Sequence, residues 1–265
     1  MSLSKTQRET IEQILINSLR HKFNNYNPEP ASMPFHARLL GQDRLALYSF
    51  IHSLSTNFGT AIFEPVAVAI AKNNHKEASS QVTAGDFIYE GAHLAISQIM
   101  NHLTTASNDP DKSHEIETIR AVCQQGDRIK VRLTKVDVMI EDSSGDKHLF
   151  DLKTAKPNSG AFREFKRTLL EWVAAVLAEN PKARVHSLIA IPYNPYEPQP
   201  YNRWTMRGML DLTQELKVGK EFWDFLGGSG TYEGLLDCFE KVGLELRGEI
   251  DDYFTKFRHD HQHLQ

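Results

Sequence analysis

The chain has 265 residues, 40% of them hydrophobic and 24% charged, with a net charge of −4, a length that one hydrophobic core can serve and a composition of ordinary globular usage. No run approaches the roughly 18 uninterrupted apolar residues of a membrane span, and Met1-Ser-Leu-Ser-Lys-Thr-Gln-Arg-Glu9 lacks the basic-then-apolar pattern of a secretory leader, so a cytoplasmic protein without membrane association is expected. Cys123 and Cys238 stand far apart in no ligand spacing, which argues against a disulfide framework and a zinc site.

Residues 5–23 place Ile11, Ile14, Leu15, Leu19 and Phe23 at helical spacings, an amphipathic helix. A second helical stretch carries Leu39, Leu40, Leu45, Leu47, Phe50, Ile51 and Leu54. A third, residues 60–72, is apolar around Glu64 and Pro65, and residues 86–103 read as a fourth. After a polar loop the periodicity changes. Ile129-Lys-Val-Arg-Leu133 and Val136-Asp-Val-Met-Ile140 alternate, Ser143-Ser-Gly-Asp146 supplies a turn, and His148-Leu-Phe-Asp-Leu-Lys153 follows, predicting an antiparallel meander. Residues 161–179 are again amphipathic, and Val185-His-Ser-Leu-Ile-Ala-Ile191 reads as a buried strand. Strand, helix, strand predicts a crossover.

The expected fold is α/β, a central mixed sheet flanked by helices in a single domain over residues 1–265. Residues 1–110 form its helical layer, 120–195 the sheet and crossover helix, and 196–265 a C-terminal helical part.

Period-two alternation puts Asp151 and Lys153 on one strand face, and a turn centred near Ser144 sets Asp137 across from Asp151. Facing carboxylates repel unless a cation sits between them, and both Mg²⁺ with hard oxygen ligands and Lys153 meet that need. The combination suits phosphodiester hydrolysis, in which a metal polarises the phosphate and activates water while an ammonium steadies developing charge. A cross-strand salt bridge on a solvated face accounts for the same residues. Acidic-x-Lys occurs three times, at Asp151-Leu-Lys153, Glu164-Phe-Lys166 and Glu215-Leu-Lys217. The first lies on a predicted strand; the other two fall in helical patterns, where such pairs decorate surfaces.

Val136-Asp137, a turn, Asp151-Leu-Lys153 and an amphipathic helix resemble the PD-(D/E)xK nuclease motif, with Val136 replacing its usual proline. Phe35-His-Ala-Arg-Leu-Leu-Gly-Gln-Asp-Arg44, Phe58-Gly-Thr-Ala-Ile-Phe-Glu-Pro65 and Lys220-Glu-Phe-Trp-Asp-Phe-Leu-Gly-Gly228 resemble stretches of TdeIII-type type II restriction endonucleases. The resemblance implies a restriction-endonuclease-like core, Mg²⁺ held by Asp137, Asp151 and the carbonyl of Leu152, and Lys153 near the attacking water. It further implies a homodimer cutting double-stranded DNA at a short GC-rich palindrome of GGNCC type, beside a separate cognate DNA methyltransferase. A repair nuclease that reads DNA shape, or a non-catalytic DNA-binding protein of the same fold, fits the residues as well.

Glu64, in an apolar stretch, must be paired, protonated or metal-ligating if buried; it is a candidate fourth catalytic group, with Glu90 as substitute. If Pro65 starts the helix, Glu64 is instead an exposed neighbour of its cap. Lys156, Asn158, Arg163 and Lys166, just after Lys153, are candidate DNA contacts, as are Arg203 and Arg207 with Asn194 and Tyr196 in the loop after Ile191. The acidic net charge argues mildly against DNA binding, but phosphate contact depends on where Lys and Arg are placed.

Overall fold

The computed structural model describes residues 3–26, 33–153, 155–202 and 206–259. Its centre is a five-stranded mixed sheet in the order β1 (Glu77–Val82), β4 (Val136–Glu141), β5 (Lys147–Leu152), β6 (Val185–Ile191), β7 (Leu216–Val218). The β1–β4 and β4–β5 pairs are antiparallel, and β5–β6 and β6–β7 are parallel. A two-stranded ribbon of β2 (Phe87–Tyr89) and β3 (Arg128–Lys130) stands apart.

Apolar side chains leave both faces of the sheet. Leu149 and Ile189 meet α5 (Glu90–Thr104), α6 (Lys112–Val122) and α7 (Phe162–Glu179) on one side. Val138, Ile140, Phe150 and Leu188 meet α1 (Lys5–Asn25), α4 (Glu64–Ala71), α8 (Lys220–Gly227) and α9 (Thr231–Glu245) on the other. A sheet covered on both faces tolerates β6 as a nearly continuous apolar run. The predicted crossover is β5–α7–β6, and the expected α/β architecture is the one found. No single helix among the described residues is long and apolar enough to cross a membrane.

The second helical stretch breaks at Gly41, whose φ of 90° favours glycine, into α2 (Pro34–Leu40) and α3 (Gln42–Phe58). Residues 86–103 are not all helix: the first form β2, because Ile88 pairs with Ile129. The strand expected over residues 129–133 is therefore cut to β3 and pairs in the ribbon rather than extending a meander. β1, mostly polar, shows no alternation of large apolar residues and depends on its ladder to β4. Leu216 and Lys217 belong to a strand, not the helix expected around Glu215.

Of the second and third acidic-x-Lys pairs, Glu164 is on the surface as expected, but the surface reading is overturned for Lys166 and Glu215. Lys166 and Glu215 are fully buried. Lys166 Nζ binds Glu215 Oε2 at 2.6 Å and also pairs with Glu115, while Lys112 Nζ donates to Glu215 Oε1 at 2.8 Å and to Ser187 Oγ at 2.9 Å. Lys166 therefore has no surface to offer DNA. The network ties α6 and α7 to β6 and to the residue leading into β7. Removing one partner of such a cluster strands a buried charge, so Lys166→Ala is expected to lower stability to urea by roughly 3–5 kcal/mol. Exposed Arg163→Ala should stay within about 0.5 kcal/mol; equal midpoints for the two variants would refute the network's role.

Candidate active site

The β4–β5 register, Val138 opposite Phe150, sets position 137 across from 151, as the turn near Ser144 predicts. Asp137 Oδ2 accepts from the Leu152 N–H at 2.8 Å, which fixes the carboxylate over the strand end. Asp151 is buried, and Lys153 Nζ lies 2.6 Å from its Oδ1. The Lys153 ammonium also sits 4.6 Å from the ring centroid of Phe165, on α7. A solvated salt bridge is thus not what the sheet end holds: Asp151 is 4% exposed. Burial raises its carboxyl to about 6, Lys153 opposes that rise, and neighbouring Asp137 adds to it.

Glu64 joins these residues. The chain runs from α3 through a π-helical turn, Gly59–Phe63, into α4, which Glu64 opens. Although Pro65 does stand at the helix start, Glu64 is only 3% exposed, so the exposed-cap reading fails. Burial raises its carboxyl above the usual range, Gln81 opposing and Asp137 reinforcing the shift. Glu90 lies elsewhere, its Oε2 accepting from the Asp127 N–H at 3.1 Å.

One site residue escaped sequence reasoning. Gln81 Nε2 donates to Glu64 Oε2 at 2.8 Å and to Asp137 Oδ1 at 3.1 Å, bridging two acids that repel. Its φ of 56° interrupts β1 between the Ser80–Val138 and Val82–Val136 pairs. A non-glycine residue held there is uncommon and concentrates at functional sites. Nothing in the local sequence marks it, since its partners come from α4 and β4.

Glu64, Asp137, Leu152 and Lys153 line a cavity of about 660 Å³ that Phe63, Trp223 and Phe239 also line. The aromatic motif at residues 220–228 packs as α8, with Trp223 Nε1 donating to the Pro192 carbonyl at 2.8 Å. Lys156 is exposed and lies 5.1 Å from the Tyr196 ring centroid, and Tyr201 Oη donates to the Ala155 carbonyl at 3.1 Å. The loops after β5 and β6 are thereby held together. Asn158, Arg163 and Arg207 are exposed, while Arg203 lies outside the described residues.

The donor set suits a hard divalent cation: adjoining carboxylates carry negative charge that one lysine does not fully offset, and Mg²⁺ is typically bound by one or two carboxylates plus water and phosphate. Among the described residues, no group of three or more His, Cys, Asp or Glu side chains stands where it could by itself hold a metal ion, so water and phosphate would have to complete the shell.

Between its ordinary 3.8 and about 6 the buried Asp151 carboxyl holds its proton more tightly than in the unfolded chain, so stability falls as pH rises through that window. Metal-free Asp151→Asn is expected to be more stable than wild type by up to about 3 kcal/mol near pH 7.5, the gap narrowing towards pH 4. Thermal melts in EDTA at both pH values check this; a gap that does not change with pH would contradict it.

A family model described as "Type II restriction endonuclease, HinfI" matches residues 3–243. Similar proteins include the type II restriction enzymes HgiCII and HgiBI of Herpetosiphon aurantiacus. HgiCII is 26% identical over 82% of this chain and 80% of its own length, and HgiBI 25% identical over 90% of each. The type II restriction enzyme MjaII of Methanocaldococcus jannaschii is 27% identical over 97% of this chain and 76% of its own. The expected kinship with type II restriction endonucleases holds, and the family whose model matches is that of HinfI where the quoted stretches resemble the TdeIII type: the chain belongs to the HinfI family of type II restriction endonucleases.

Proposed function

We propose that this protein is a Mg²⁺-dependent homodimeric endonuclease that cuts both strands of DNA at a short GC-rich palindrome of GGNCC type, using Asp137, Asp151, Lys153 and Glu64. The observation that supports it best is that Glu64, Asp137 and Lys153 line one cavity, with Asp151 buried against Lys153, in a chain of this family. The GGNCC type rests on the resemblance to TdeIII-type enzymes, and a cytoplasmic location beside a protecting methyltransferase follows from the same reading.

Asp137, Asp151 and the Leu152 carbonyl would hold the cation, which when bound supplies charge neutralisation at the phosphate and a lowered water pKa. Lys153, 26% exposed at its side chain and anchored by Asp151, orients the attacking water from the cavity side and offers its ammonium to developing negative charge. Phe165 beneath it limits where that ammonium can go. Glu64, held by Gln81, adds a carboxylate near Asp137 that can take up a proton. Lys156, Asn158 and Arg163 on one side, with Arg207 and Arg203 after β6, are proposed to carry the DNA backbone past this edge.

Purified wild type with Mg²⁺ and unmethylated phage DNA should give discrete fragments whose ends read out the site, and none in EDTA. Asp151→Ala and Lys153→Ala should each lose about 10²-fold or more in rate, and Glu64→Gln should fall with them while Glu90→Gln cleaves normally. DNA left intact by wild type with Mg²⁺ would defeat the catalytic reading. For backbone contact, Lys156→Ala should lower the slope of log affinity against log salt by about 0.9, measured by fluorescence anisotropy in Ca²⁺; an unchanged slope would remove Lys156 from the interface.

A further inference from the structure

The α2–α3 hairpin carries exposed apolar side chains that no other described residue covers. Phe35 and Leu39 are 85% and 83% exposed, Tyr48 is 61% exposed, and Leu40, Leu47 and Ile51 are bare to a lesser degree. Within α2, positions 35 and 39 are one turn apart; within α3, positions 47, 48 and 51 share a face. A different α3 face is anchored: Phe50 is buried, its ring centroid 4.8 Å from that of Tyr253 and 6.1 Å from that of Phe23, and Lys22 Nζ donates to Ser53 Oγ at 2.6 Å. The helix is therefore fixed on one side and apolar on another.

We propose that this hairpin is where a second copy of the chain docks, each copy presenting the same two helices to the other. Aromatic side chains offer on the order of 150–250 Å² each and Leu or Ile somewhat less, so at these exposures the six leave on the order of 600 Å² bare. That reaches the upper end of what a monomer typically exposes, about 300–600 Å², and approaches the roughly 800 Å² each partner gives to a stable interface. A contact of a surface with itself also requires that the surface not repel its copy. Arg38 lies on α2, and Asp43 and Arg44 open α3, but from Leu45 to Phe63 there is no Asp, Glu, Lys or Arg, so the remainder of α3 brings no like charge to such a contact.

Position supports the same occupant. The C-terminal turn of α3 contributes Ser55, Thr56 and Phe58 to the cavity that Glu64, Asp137 and Lys153 also line, and the chain runs directly from α3 into the π-helical turn that delivers Glu64. Pairing two copies through this hairpin fixes two sites relative to each other, as cutting both strands requires. The assignment rests on that proposed double-strand cleavage, but its test does not.

Sedimentation equilibrium of the full-length protein, without DNA, should give twice the 30.2 kDa chain mass. Phe35→Glu with Leu39→Glu should weaken association about 10²-fold or more, since each carboxylate would be buried unpaired, while Leu94→Glu and Leu244→Glu, at exposed apolar positions elsewhere, should leave it unchanged. Circular dichroism reports whether the variants stay folded. Independently, Leu39→Cys should form an oxidised covalent dimer that Leu244→Cys does not. A wild type that stays monomeric at tens of micromolar, a dimer broken by the controls but not by the hairpin pair, or a monomer that floats with phosphatidylcholine vesicles would each overturn the proposal. A dimer that cleaves no DNA would instead count against the nuclease reading alone.

Discussion

Asp137, Asp151 and Glu64 crowd one end of a buried sheet, where charge is poorly solvated and like charges repel strongly. Much of the surrounding geometry works against that repulsion. Lys153 supplies one positive charge to Asp151, the Leu152 amide donates to Asp137, and the Gln81 amide sits between Asp137 and Glu64. The uncommon backbone at Gln81, with φ of 56°, accompanies that placement where β1 is interrupted. Such a cluster costs stability in the resting protein, and under the proposed function it serves once a cation and a phosphate share the space.

That cost is carried by the rest of the fold. On α7, adjacent residues do two jobs: Phe165 lies against the Lys153 ammonium, while Lys166 is locked into the ion network with Glu115, Glu215 and Lys112. The network adds little net energy compared with an apolar core, as buried ion pairs usually do, but it fixes the helix against β6 and so fixes the floor under Lys153. Trp172 Nε1, donating to the Thr134 carbonyl at 2.8 Å, steadies the chain as it enters β4.

On the opposite face, the site is completed from far upstream in the chain. Glu64 arrives through a π-helical turn between α3 and α4, a local irregularity frequently found at functional sites, and Trp223 of α8 and Phe239 of α9 line the same cavity. The amino-terminal helices therefore do more than cover the sheet, since they deliver a carboxylate and carry the apolar hairpin beside it.

Much of this was legible from local pattern. Helical and alternating periodicity marks α1, α7, β4, β5 and β6, and the turn near Ser144 places Asp137 opposite Asp151, because side-chain direction in a strand follows from counting. Local pattern could not find β1 or β7, which are short strands that exist through their ladders, nor Gln81, whose two partners lie 17 and 56 residues away. It also misjudged Lys166 and Glu215. An acidic-x-Lys pair looks the same on paper whether it meets water or three other charges, and the difference is made by residues brought together from α6, α7 and the approach to β7. By itself the sequence determined the periodic elements and the paired acids; the tertiary structure decided which charges are buried, because burial depends on what packs from distant parts of the chain.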